Sequence, residues 1–316
     1  MPYNNMISRA EAQSLIPEVV SNEILGGLKN VSAAMQLFRR IMMSTNQTRM
    51  PVISALPTAY FVSGDTGLKQ TTEANWTNKF LNVEELAAIV PIPENVLDDA
   101  SYDVWGAIRP LLEDAVARAL DAAIFFGTNK PASWPNAIVT DAITAGNTVN
   151  KGVNAAAAGG IAGDISDVLG TLEADGFDAT GIIANRIYRG RLRQVRATTG
   201  EKLMEIASQV STDMAFGVPI TYPMRGMWPT VATGATELIA GDFTQGILGL
   251  RKDFTYKVLD QAVIQDNTGA IVYNLAQQDM IALRVTFRCA FQLANTLSYD
   301  QPVEAQRYPF AVLREP

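Results

Sequence analysis

The sequence predicts an α+β fold, and three observations carry that reading. A stripe of apolar residues from Val104 to Ala123 keeps helical spacing. The stretch from Thr48 to Leu97 reads as short strands with a polar interruption, and Ile281, Leu283, Val285, Phe287, Cys289, Phe291 and Leu293 alternate strictly over seven positions. The chain has 316 residues, of which 48% are hydrophobic and 18% charged, enough apolar material for one large domain or two modest ones. No internal repeat is visible.

Composition removes most familiar chemistry. There is one cysteine, Cys289, and no histidine, so disulfide frameworks, imidazole zinc sites and Ser-His-Asp or Cys-His catalysis are excluded. Twenty-five basic against 32 acidic residues give a net charge of −7, opposite to the footprint of a protein that grips phosphate backbones. No apolar run reaches the about 18 residues that span a bilayer, and Met1–Arg9 lacks a signal-peptide pattern, so no membrane partner and a cytosolic start are expected.

The elements follow in order. Pro17 opens a short helical piece with Val19, Val20, Ile24, Leu25 and Leu28 on one side, and Ser32 is placed to cap a second from Ala33 to Met42. Both are too short to be stable alone and must dock. Met50–Ile53 and Ala59–Val62 read as strands, Gly64-Asp65-Thr66-Gly67 as a flexible tip, and Phe80–Pro93 as another extended run. In that run the apolar stretch Leu86–Val90 implies burial on both faces. Asp98 and Asp99 then precede a helix from Asp103 to Phe126, about 36 Å long if continuous, with a bend expected at Pro110 and a C-cap at Gly127. Farther on, Ile161–Leu172 and Ile187–Val195 read as helices and Asn147–Gly163 as a loop. Thr180–Ala184, Phe216–Tyr222, Thr255–Leu259, Met280–Leu293 and Pro309–Val312 read as strands, with Cys289 a small core residue of the fourth.

Two charge features invite chemistry. Arg186, Arg189, Arg193 and Arg196 fall on one helix face, with Arg191 beside them; an acidic neighbouring subunit suits this stripe better than nucleic acid, because the whole chain is acidic. Asp98 and Asp99 suit free N–H groups at a helix start better than an acid/base pair. The glycines of Gly159–Gly163 and the Gly200-Glu201-Lys202 triplet lack the spacing of a dinucleotide or phosphate loop, so no cofactor and no metal are expected.

Five segments together carry a family resemblance: Phe80–Asp99 ahead of the long helix, Leu120-Asp121-Ala122-Ala123-Ile124-Phe125-Phe126-Gly127-Thr128, Phe216-Gly217-Val218-Pro219-Ile220, Gly241-Asp242-Phe243-Thr244 with Gly249-Leu250-Arg251, and Arg284-Val285-Thr286-Phe287-Arg288. In this order they resemble the major capsid proteins of tailed bacteriophages, the Hong Kong 97-like shell fold. The resemblance implies an N-terminal arm over 1–44 and an extended β-hairpin loop over 45–79 that overlaps a neighbour. It further implies a peripheral domain with a long spine helix over 80–130, an axial domain over 131–249, and mixed axial strands returning to the peripheral domain over 250–316. The family's frequent N-terminal scaffolding segment is expected to be absent, because the arm begins almost at Met1, so the scaffold should be a separate protein or have been removed. Also implied are hexamers and pentamers of one chain closing an icosahedral shell, with a portal, decoration proteins and double-stranded DNA held without sequence-specific contact, in a virion assembled in the bacterial cytoplasm.

Some members of the resembled family weld subunits through a Lys–Asn isopeptide bond. Lys69 and Asn295 stand in the corresponding regions, but no Glu is assignable as catalyst, and Lys69 reads better as an ordinary loop charge touching a neighbour. Two other readings stay open: an encapsulin-like compartment around protein cargo, and a histidine-free enzyme using carboxylates in a concave site.

Overall fold

The computed structural model describes residues 32–62, 69, 71–72, 74–99, 104–155, 159–194, 213–223, 227–229, 235–266 and 268–316. The helix expected after Pro17, the Gly64–Gly67 tip, the Gly200–Lys202 triplet and Arg196 lie outside them. The described chain forms two compact units, each built from separated segments. The smaller contains Glu85–Ala117 and Lys252–Cys289; the larger contains Ser32–Glu84, Arg118–Arg251 and Ala290–Pro316.

Ser32 caps α1 (Ala33–Leu37), its hydroxyl accepting the Met35 N–H at 3.1 Å. The spacing predicts a helix to Met42, but α1 stops at Leu37 and the chain becomes β1 (Arg39–Met42), parallel to residues 247–250. Period-two burial decides this. Ile41 and Met43 pack in one cluster with Leu81, Val83, Ile247 and Ala290, while Arg39 and Arg40 stay exposed.

The strand β2 (Gln47–Ala55) pairs antiparallel with β3 (Asn75–Asn82), from Gln47 opposite Asn82 to Ile53 opposite Trp76. Ala59–Val62, expected as a strand, is irregular and exposed. In β4 (Glu84–Pro93) the expectation of two buried faces fails. Glu85, Ala87 and Ile89 are exposed between half-buried Leu86, Ala88 and Val90, because β4 is an edge strand with one covered face.

Asp98 and Asp99 are the last residues of a separate short helix, α2 (Glu94–Asp99). The long helix itself, α3 (Val104–Asp121), continues through Pro110. The expected single α-helix gives way instead at Ala122–Phe126, a π-helical turn closed by Gly127, whose φ of 75° lets its N–H reach the carbonyls of Ala122 and Ala123.

Beyond it lie α4 (Ile138–Ala145), β5 (Thr148–Asn150) within the stretch read as a loop, α5 (Ile161–Ala174), β6 (Gly181–Ala184), α6 (Arg186–Gln194), β7 (Asp213–Ala215), β8 (Val218–Thr221) and β9 (Thr236–Gly241). Then come β10 (Gly246–Leu259), the hairpin β11 (Val263–Gln265) and β12 (Ile271–Asn274), β13 (Met280–Leu293) and β14 (Phe310–Arg314). The alternation predicted for β13 holds, and Cys289 is buried in it.

The larger unit is organised on a six-stranded sheet ordered β5-β14-β9-β6-β8-β7, in which β6 and β9 are buried throughout. Ile165, Val168, Leu169 and Leu172 recur at helical spacing along α5 and pack with Tyr188 and Leu192 of α6 against Ile182, Leu238 and Leu313. Elsewhere in this unit Phe38 is the centre of an aromatic cluster, its ring 5.4 Å from Phe291, 5.6 Å from Phe243 and 5.7 Å from Phe125. A Cβ at Gly246 would lie 2.2 Å from that ring, so only glycine lets β10 start there. In the smaller unit Phe254 of β10 stacks on Phe287 of β13 at 4.8 Å, and Arg109 of α3 lies over the Tyr256 ring at 6.0 Å.

Asp121 ties the start of the described chain to the end of α3. It is buried and accepts hydrogen bonds from the Ser32 hydroxyl at 2.6 Å, the Ala33 N–H at 2.8 Å and the Ala34 N–H at 3.0 Å. Burial pushes its carboxyl up to about 6, against the pull of these three donors. Because the folded chain takes up this proton more readily than the unfolded one, Asp121 adds stability as pH falls through about 6 and withdraws it as pH rises again. Between about pH 7 and pH 4, wild type should gain on Asp121→Asn by up to about 3 kcal/mol, measured by denaturant unfolding of both chains side by side.

Candidate assembly surfaces

The β2–β3 ribbon is fastened most closely at its root and carries exposed apolar side chains beyond it, although Val52 is buried and the Tyr299 hydroxyl donates to the Pro57 carbonyl at 3.1 Å just past β2. At the root, Met43, Leu81 and Val83 are buried with Ile247 and Ala290. The Val83 N–H donates to the Asn46 carbonyl at 3.0 Å, and the Trp134 indole N–H to the Asn82 carbonyl at 3.1 Å. Gln292 donates from its amide to the Phe80 carbonyl at 3.0 Å, and Lys79 pairs with Glu304 at 3.3 Å. Farther along, the side chains lose cover: Trp76 is 66% exposed, Phe61 fully so, and Ile53, Tyr60 and Val62 are exposed beside them. A two-stranded ribbon is marginal in water, and five exposed large apolar side chains on it and in the segment after β2 mark a surface suited to being covered.

Lys69 lies exposed in the segment between β2 and β3. Asn295 is buried, with backbone φ of 45°; its amide donates to the Arg307 carbonyl at 3.1 Å, and the Arg307 guanidinium donates back to the Asn295 carbonyl at 3.4 Å.

The arginine run divides. Arg186 is exposed at the start of α6, and Arg189 lies over the Tyr222 ring at 5.7 Å. Arg193 belongs to the last turn of the same helix. Arg191 points elsewhere and donates to Glu237 at 2.6 Å. Lys151 pairs with Glu315 at 2.6 Å and lies 3.5 Å from Glu237, completing a cluster of two cations and two carboxylates. Burial raises the Glu237 carboxyl, helped by its hydrogen bond with Glu315, whereas the Lys151 ammonium holds Glu315 down. The sequence reading missed this cluster: its members are spread over 165 positions, and only Arg191, off the stripe of the other four arginines, hinted at a separate role.

The shifted carboxylates are thus engaged in holding backbone or neighbouring side chains. Among the described residues no group of three or more Cys, Asp or Glu is placed to hold a metal ion, and no helix is long and apolar enough to cross a membrane.

Residues 12–298 match the Phage capsid family. The chain belongs to that family. Among curated proteins, this phage capsid chain is 26% identical over 310 residues to the protein named "Major capsid protein" of Staphylococcus phage 80alpha, covering 97% of this chain and 90% of that protein. Among solved structures it is similar to a chain from Microbacterium phage Oxtober96, with 36% identity, a TM-score of 0.78 and coverage of 98% of this chain and 100% of the other. A chain from Mycobacterium phage Bobi gives 31% identity, a TM-score of 0.77 and coverage of 98% and 99%. The expected Hong Kong 97-like α+β fold and the capsid family are therefore both confirmed for this chain.

Because the ribbon packs most closely at its root, truncation there and truncation in the exposed segment after β2 should differ. Leu81→Ala should cost about 2–5 kcal/mol in denaturant unfolding of the unassembled chain. Phe61→Ser should stay within about 0.5 kcal/mol of wild type.

Proposed function

We propose that this chain is the major capsid protein of a tailed phage, the repeating subunit of an icosahedral shell built from hexamers and pentamers around the packaged genome. The observation that carries the reading is the run of exposed apolar side chains on and just after the β2–β3 ribbon, Ile53 and Trp76 in its strands and Tyr60, Phe61 and Val62 in the segment that follows β2. Lying across an adjacent copy would bury them, and a head-to-tail contact of this kind propagates around a ring. Family membership and the named relative in Staphylococcus phage 80alpha support the same role.

In this reading residues 1–44 form the arm, 45–79 the overlapping loop, 80–130 the peripheral domain, 131–249 the axial domain and 250–316 the returning strands. The chain has no catalytic role. A separate scaffolding protein, a portal and decoration proteins complete the particle, which is built in the bacterial cytoplasm. The net charge of −7 suits an inner wall that holds DNA without gripping it. Lys69 serves as a loop charge contacting a neighbour, because the Asn295 amide is buried and already hydrogen-bonded.

Electron microscopy of the expressed chain, alone and with its scaffolding protein, tests this directly. Closed icosahedral particles are expected; a monodisperse monomer under both conditions would refute the role. Boiled denaturing gels of the particles should give a single band at the monomer mass, whereas a ladder would show Lys69 or another lysine welded to a neighbour.

A further inference from the structure

Two features of segments singled out in the sequence are not used by the core: the Phe216-Gly217 turn, whose neighbours Val218 and Ile220 do pack inward, and the exposed face of α6. Phe216 and Gly217 form the tight turn between β7 and β8, both at positive φ, 50° and 81°. Asn, Asp or Gly are the residues suited to such a turn, yet a phenylalanine stands there with its ring 59% exposed. A strained aromatic held out to solvent is a feature the chain's own packing does not require.

The ring borders a groove of about 790 Å³ along α5. On its floor Ser166, Gly170 and Ala174 recur every four residues, so small side chains line one exposed ridge, and a Cβ at Gly170 would meet nothing within 4 Å. Asp167, Glu173 and Asp178 give the same groove a negative rim.

The exposed face of α6 has the complementary make-up. Ile187 is 58% exposed, Gly190 one turn later is open around its own Cβ position, and Arg186 adds positive charge beside them. The two faces sit at opposite ends of the same strands. Asp178, Phe216 and Val218 stand where β6 and β8 begin, those strands being parallel, whereas Arg186 and Ile187 follow the end of β6. One copy therefore cannot bring its own faces together this way, and a contact between different faces of identical chains is head-to-tail.

We propose that the Arg186–Ile187–Gly190 face of α6 docks in the α5 groove of a second copy of this chain, with Ile187 under the Phe216 ring, Gly190 against the small-residue ridge and Arg186 against the acidic rim. The inference rests on the shell reading and adds which surfaces of the larger unit meet. Facing glycines allow close helix approach, and the opposed charges set direction and exclude like-with-like pairing.

Sedimentation velocity on the full chain and its variants, under conditions where wild type assembles, tests the contact. Arg186→Glu and Glu173→Lys should each lower the assembled fraction at least about tenfold, and the double variant should recover most of it by restoring opposite charges. Phe216→Gly removes the ring and relieves the positive φ, so it should lose assembly while its unfolding midpoint stays level with or above wild type. Single variants that assemble like wild type, or a double variant no better than either single one, would overturn this contact and leave the shell reading standing. If wild type itself never assembles, with or without scaffold, both fall together.

Discussion

Burial of Phe38 is the constraint on which the larger unit depends. Its ring meets Phe125 from the end of the long helix, Phe243 from the turn before β10 and Phe291 from β13, so one side chain brings together segments more than 250 residues apart. The preceding residues are held by Asp121, which satisfies the free N–H groups of α1 in place of solvent. A buried carboxylate is an expensive anchor, and the raised pKa records that cost. What it secures is direction: residue 32 is held at the end of α3, and β1 must then run beside β10.

That placement decides how the ribbon leaves the body. Ile41 and Met43 follow immediately after Phe38 and enter the cluster that grips Leu81 and Val83. The ribbon root is therefore as firm as the core, while Ile53 and Trp76 farther along it stay exposed. Rigidity at one end and uncovered apolar surface at the other suit a part that spans subunits, because alignment is set in advance and hydrophobic free energy is released only on contact.

The larger unit separates structural charge from surface charge. Arg191, Lys151, Glu237 and Glu315 neutralise one another in a partly buried cluster, where an unpaired member would be costly. Arg186 on α6 and Glu173 on α5 are left facing solvent. Residues spaced only a few positions apart on one helix thus serve two purposes, one within the chain and one available to a neighbour.

The sequence by itself determined the strands and helices whose periodicity is strong: β13 by strict alternation, α5 by its Ile165-Val168-Leu169-Leu172 stripe, and the long helix with its Gly127 cap. It also carried the family, through five short segments in a shared order. Only the tertiary structure decided that Ala33–Met42 breaks into helix and strand, because a buried Phe38 and the pairing with β10 outweigh local helix preference. It alone made β4 an edge strand with one bare face and turned the end of the long helix into a π-turn. The charged cluster around Glu237 and the groove beneath Phe216 were illegible for the same reason. Their members lie far apart along the chain, and only the pairing of β6, β8, β9 and β14 brings them into range.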